Sequence, residues 1–334
     1  MDRNAQSLNT LRGLACLLLV SFHIIGSTPA LGLKIDAGLL REVNDLLAYL
    51  RMPLFTFLSG VVYCYRPVTN LPLRFIRGKA RRLLLPLLTV GTGFALLQML
   101  IPATNSGDYL WWQIHIYPVA HFWFIQSLFW VFLLIVLIER WGWLNRLSTF
   151  IGCWLAAAAL FLSPLEMPVL SISGAIYLLP FFLMGVMAQR FISQHPPSLS
   201  LARLGLPLAL LALLLIVVGA LPLQPQRSLL GLLIGVVACV GLWAWRPQWS
   251  GLALIGHYSY SIYLFHVFFT AATRMGLMKL GITEVVLLLP LSLLTGIVGP
   301  LLLERIIVKM PLLPTLLLGK RWPQSALQPR SAVL

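Results

Sequence analysis

The sequence predicts an all-α fold, a polytopic transmembrane bundle of about ten spans with both termini in the cytoplasm. Three observations predict it. Of the 334 residues 59% are hydrophobic and 10% charged, and the mean hydropathy is +0.90. A chain so apolar belongs in a bilayer. Ten apolar segments can be marked, at 10–29, 44–64, 83–102, 120–138, 147–163, 173–190, 204–221, 228–245, 253–273 and 285–305, each near the length that crosses a hydrocarbon core. Lys and Arg collect in alternate connections. With the N-terminus inside, 18 of them fall in inward loops and tails and 5 outside (Lys34, Arg41, Arg227, Arg274 and Lys279). That asymmetry sets the orientation and favours an even number of spans.

The same observations exclude several classes. No polar stretch is long enough to form a separate soluble domain, so one transmembrane domain is expected over 1–310, with a short cytoplasmic tail over 311–334. The net charge of +15 would point to nucleic acid in a soluble protein; here it follows from membrane orientation, and no nucleic-acid partner is expected. Cys16, Cys64, Cys153 and Cys239 lie scattered in apolar runs without a CxxC pair. They read as packing residues, and neither a disulfide framework nor a metal site is expected.

The first span carries Arg12 and, eleven residues later, His23. Eleven residues advance about 1100°, three turns and about 20°, so both side chains share one helix face about 16 Å apart along the axis. Ionisable groups inside a bilayer are costly and mark function by default. The segment also has the layout of a signal peptide, but the site around Ser27-Thr28-Pro29-Ala30 is poor for cleavage, and retention is expected. In span two, Arg51 of Arg51-Met52-Pro53-Leu54-Phe55 lies a turn or two below the outer surface, at the depth of His23. Two cationic groups at one level repel unless the histidine is neutral or a negative group intervenes. Pro53 either starts the helix or kinks it.

From Tyr65 to Arg82 the chain carries six basic residues and no acid, the densest positive stretch of the molecule. Positive-inside topology explains much of it; arginines and lysines at this density also suit a polyanionic ligand at the cytoplasmic face. In the outer loop over 103–120, Trp111 and Trp112 read as an interfacial aromatic belt. His121 and Trp123 begin span four near the depth of Arg51. Gly231 and Gly235 form a small-xxx-small pair for close helix packing, and Pro180, Pro207 and Pro222 mark kinks or span ends. In span nine, Ser259, Tyr263 and His266 line one face, which should meet a polar cavity. Glu304, near the end of span ten, is expected to pair with an arginine.

Taken together, these residues resemble the integral-membrane acyltransferase 3 family, bacterial proteins that acylate cell-surface carbohydrates, in its stand-alone form. The resemblance rests on Arg12 with His23, on Arg51-Met52-Pro53-Leu54-Phe55 with Leu58-Ser59-Gly60, and on Arg81-Arg82 before Pro86. It rests also on His121 with Trp123, and on Ser259-Tyr260 with Tyr263-Leu264 and His266. Leu85 stands where the pattern has a further arginine.

The resemblance implies an O-acyltransferase of the bacterial cytoplasmic (inner) membrane, moving an acetyl group from cytoplasmic acetyl-CoA to a hydroxyl of a cell-surface or lipid-linked carbohydrate. His23, Arg12 and Arg51 are then the catalytic set, with His23 as base or as transient acyl carrier. Arg77, Lys79, Arg81 and Arg82 hold the donor; His121, Trp123, Tyr263 and His266 meet the acceptor. Membrane lipids are the other expected partners, and a homo-oligomer is left open. The competing class is a transporter or flippase for a lipid-linked saccharide or other small molecule. Against it, the buried charges crowd into the first four spans instead of recurring in paired broken helices.

Overall fold

The structure, a computed structural model, describes residues 3–68, 71–101, 110–117 and 119–321. Part of the expected outer loop and most of the expected tail, with Arg330, lie outside them. Every described element is helical. In chain order they are α1 (Arg3–Ile25), α2 (Leu39–Leu46), α3 (Ala48–Tyr65), α4 (Pro72–Pro86), α5 (Thr92–Leu100), α6 (Trp123–Arg140), α7 (Leu147–Leu162), α8 (Ile172–Arg190), α9 (Pro196–Ala202), α10 (Gly205–Val217), α11 (Leu229–Trp245), α12 (Ser250–His257), α13 (Ser259–Lys279), α14 (Val285–Ile307) and α15 (Leu313–Leu318). Each of the ten apolar segments falls on helix.

By length and composition, seven helical runs among the described residues can cross a membrane, or eight if α11 and α12 form one broken span. The 16-residue α7 is shorter than the rest. Two boundaries differ from expectation. The basic run is helix rather than loop: α4 opens with Pro72 in its first turn, where a missing N–H costs nothing, and Arg, Lys and Leu are good helix formers. A π-helical turn over Leu87–Gly91 carries it into α5. The expected ninth span is two helices, α12 and α13, separated by a break at Tyr258, and α12 is itself bent by 117° from α11.

Glycines set the closest helix pairs. A methyl group built on Gly256 of α12 meets the Asn9 carbonyl oxygen at 1.8 Å, and one on Gly13 of α1 meets that of Leu252 at 2.0 Å. The same reciprocity joins α3 to α8 through Gly60 and Gly185, and α10 to α11 through Gly205 and Gly241. Without a hydrophobic drive between helices in lipid, backbone approach of this kind is what holds pairs together. The expected Gly231 and Gly235 pair also packs closely, Gly235 against the Tyr49 backbone and the Phe181 ring. The opposite surfaces are apolar and bare. Leu208, Leu210, Leu211 and Leu214 on α10, and Val286, Leu294 and Leu302 on α14, are all exposed, which only lipid makes economical.

Inside, α1 is the hub: it packs on α12, α13, α3 and α14. α15, the described start of the expected tail, folds back under α4. The Arg81 side chain donates to the Gly319 carbonyl at 3.1 Å and the Thr89 hydroxyl to that of Leu316 at 2.8 Å.

Candidate active site

α1 ends two residues after His23, at Ile25. Gly26 takes φ 102°, a left-handed conformation, and a side chain there would strike the Leu31 carbonyl at 2.3 Å. A glycine is required for the chain to turn away so soon. The turn leaves His23 on the wall of a cavity of about 580 Å³ between α1, α3, α5, α6 and α13, a volume in the range of small-molecule sites.

Two further histidines meet it. Ring centroids lie 5.5 Å apart for His23 and His121, 5.0 Å for His23 and His266, and 4.9 Å for His121 and His266. His121 is delivered by a short helical turn over Ala120–Phe122. Its first residue, Ala120, holds φ 51°, the kind of local strain a functional site retains. The Tyr263 hydroxyl donates to the His121 carbonyl at 2.5 Å and so fixes α13 to that turn. His266 lies within 2.8 Å of the Ile262 carbonyl and 3.0 Å of that of Tyr263 through Nδ1. Both partners only accept, so Nδ1 carries the proton and, in the neutral ring, Nε2 is the free lone pair. Nε2 is buried and has no hydrogen-bond partner.

Arg51 is 3% exposed. Its Nε donates to the Leu18 carbonyl at 2.9 Å, and Nη2 donates to the Asn44 carbonyl at 3.0 Å and side-chain oxygen at 3.1 Å. The guanidinium lies 4.2 Å from the Phe22 ring centroid. Arg51 lines the cavity while tying α1, α2 and α3 together. Arg41 does similar work one layer out: it pairs with Asp45 at 2.7 Å and donates to the carbonyls of Gly26 and Ser27 at 3.0 and 2.9 Å. These carbonyls belong to the turn just beyond the end of α1.

At the other end of α1, Arg12 donates to the Asn9 side chain at 3.1 Å. It lies within electrostatic reach of Arg82, as Lys79 also does. The Arg82 guanidinium sits 5.2 Å from the Tyr260 ring centroid, and the Tyr260 hydroxyl donates to the Arg82 carbonyl. None of the three ion pairs among the described residues involves Arg12, Lys79 or Arg82.

The expected residues thus fall into two groups. His23, Arg51, His121, Trp123 and Tyr263 line the cavity, with His266 in ring contact behind them. Arg12 and Arg82 share the opposite end. Lys79 is turned onto the rings of Phe132, at 3.5 Å, and Phe75, at 5.1 Å; Arg81 is committed to Gly319; Arg77 is exposed. Glu304 pairs with Lys320 at 2.7 Å, not with an arginine, and accepts from the Ser261 hydroxyl. Asn44 and Asp45 carry no sign of a role in the sequence, and Arg41 stands there only as an outside charge, although Arg41 and Asp45 are four apart on a helix, the spacing of an ion pair. Arg274, on the cavity wall, counted in the sequence only as an outside charge.

A family model described as an acyltransferase domain matches residues 6–305. No curated protein and no solved structure matches the chain. The matched range takes in the histidine cluster, both cation groups and every helix from α6 to α13. The chain belongs to the acyltransferase 3 family and is a multi-pass membrane acyltransferase.

Proposed function

We propose that this acyltransferase moves an acetyl group from cytoplasmic acetyl-CoA to a hydroxyl of a cell-surface or lipid-linked carbohydrate, across the inner membrane of a bacterium. The observation that carries the reading is the division of labour along α1. His23 faces a cavity at one end, and Arg12, about 16 Å away on the same face, stands with Arg82 at the other. Cations without carboxylate partners suit the phosphates of a CoA thioester. An acyl chain on a long thiol arm then reaches along α1 toward the histidines.

In this reading His23 takes the proton of the acceptor hydroxyl. An imidazole, whose ordinary pKa is about 6.5, is the side chain suited to that near neutral pH. The alkoxide oxygen attacks the thioester carbonyl; the C–S bond breaks; the CoA thiolate leaves and recovers a proton. Arg51 supplies positive charge where the oxyanion develops. His266, its Nδ1 proton spent on backbone carbonyls, sets its ring 5.0 Å from that of His23 as part of the cavity's histidine cluster.

The test is His23→Gln, which keeps approximate size and hydrogen bonding but accepts no proton. Transfer from radiolabelled acetyl-CoA to membrane glycolipid should fall by ~10²–10⁴-fold, the usual worth of a general base, with insertion and expression unchanged. Transfer near the wild-type rate by an inserted Gln variant removes His23 from the chemistry.

A further inference from the structure

The charge of the cavity wall is one-sided. No Asp or Glu lies among its described lining residues, while Arg51 and Arg274 both do. Arg51 has spent Nε and Nη2 on Leu18 and Asn44. Arg274 differs from it: half-buried on α13, it forms no hydrogen bond or ion pair among the described residues. The other arginine of this end, Arg41, is neutralised by Asp45. Arg227 is occupied too, donating to the carbonyls of Phe161 at 3.0 Å and Ser163 at 2.7 Å at the end of α7. Arg274 therefore stands apart as a cation on a cavity wall whose own neighbours do not satisfy it.

Its position along α13 is set by the helix. His266, Thr270 and Arg274 step by four residues and lie on one face. Eight residues place Arg274 about 12 Å beyond His266 along α13, on a wall that Gly26 and Ser27 also line. Between the two levels the wall is largely apolar, with Val267, Phe268 and Ala271 on the same helix.

We propose that the cavity takes an anionic acceptor, its reacting hydroxyl at the histidines and a phosphate or carboxylate held by the Arg274 guanidinium about 12 Å away. That spacing leaves room for one or two sugar units between the hydroxyl and the charge. Calling the ligand an acceptor rests on the acyl-transfer reading; the anion site itself does not. The same chemistry comes from a polyprenyl diphosphate carrier or from an acidic sugar, and the probes below separate them.

Binding of farnesyl diphosphate, farnesol and glucose 1-phosphate is measured on the full chain in nanodiscs, without acyl donor. Wild type should bind farnesyl diphosphate at least tenfold more tightly than farnesol. Arg274→Gln should remove on the order of tenfold of that affinity, the usual worth of a charge-assisted hydrogen bond, and Arg274→Lys should keep most of it. Arg82→Gln should leave the part that depends on Arg274 intact, which separates this site from the cations at the other end. Loss for farnesyl diphosphate alone assigns the anion to a lipid carrier; loss for glucose 1-phosphate as well assigns it to a compact acidic sugar. Equal binding of farnesol and farnesyl diphosphate by the wild type overturns the proposal without any variant, as does an unchanged preference in Arg274→Gln. Because no acyl transfer is read, failure of the His23 test and failure of this one are distinguishable.

Discussion

Arg51 shows how one buried side chain serves structure and site together. Its guanidinium bonds the Leu18 carbonyl on α1 and both oxygens of Asn44 on α2, and its charge lines the cavity beside His23. Replacing it with Gln removes charge-assisted bonds worth ~1.5–3 kcal/mol each and leaves carbonyls unpaired in a dry interior. The expected outcome for Arg51→Gln is a lower unfolding midpoint in detergent together with slower acyl transfer. A residue acting on chemistry alone would slow transfer and leave the midpoint where it was. At this scale the sequence was legible wherever a charge stood in an apolar run, as with Arg12, His23 and Arg51, because lipid makes such residues conspicuous. It was not legible where a polar residue stood among other polar residues. Asn44 in Glu42-Val43-Asn44-Asp45 carries no local sign that its oxygens will hold Arg51. That fact depends on α2 folding onto the end of α1.

The all-helical class was legible, whereas the helix breaks, and with them the number of spans, were not, for a related reason. Hydropathy sees apolar length. It does not see the 117° bend that lays α12 along α1, because the bend is stabilised from outside the segment: the Trp249 N–H donates to the Thr10 hydroxyl at 3.1 Å, and Gly256 admits the Asn9 carbonyl. The glycine contact gives a direct test. In Gly256→Ala the new methyl group starts 1.8 Å from a backbone oxygen, and with no flexible side chain to yield, α12 must move off α1. Overpacking of this sort costs ~1–3 kcal/mol, so the thermal midpoint should drop and transfer should fall with it, since α1 carries both Arg12 and His23. Gly152→Ala on α7 is the control. A methyl group there meets nothing within 4 Å, and alanine is the better helix former by roughly 0.5–1 kcal/mol, so its midpoint should hold or rise. Equal midpoints for the two variants would mean that the α1 and α12 contact does not hold the bundle.

Across the whole molecule, a donor at one face and an acceptor at the other require that the two groups of residues sit on opposite sides of a bilayer. The bundle is consistent with this: Arg12 and Arg82 stand near the start of α1, the cavity opens beside its end, and bare leucines of α10 and α14 wrap the flanks. The charge count favours one direction independently of the fold: the expected orientation, with 18 basic residues inside and 5 outside, is the one the positive-inside rule selects. Single cysteines on a background lacking Cys16, Cys64, Cys153 and Cys239 test it in whole cells. Gly78→Cys lies on α4, where a methyl group meets nothing within 4 Å, and Lys279→Cys is exposed at the end of α13. Both positions are therefore open to a reagent without disturbing the packing. A membrane-impermeant maleimide should label Lys279→Cys in intact cells and should label Gly78→Cys only after the membrane is opened. Labelling of Gly78→Cys in intact cells would place Arg12 and Arg82 on the outside, where no CoA thioester reaches them, and the proposed direction of transfer would fall with that result.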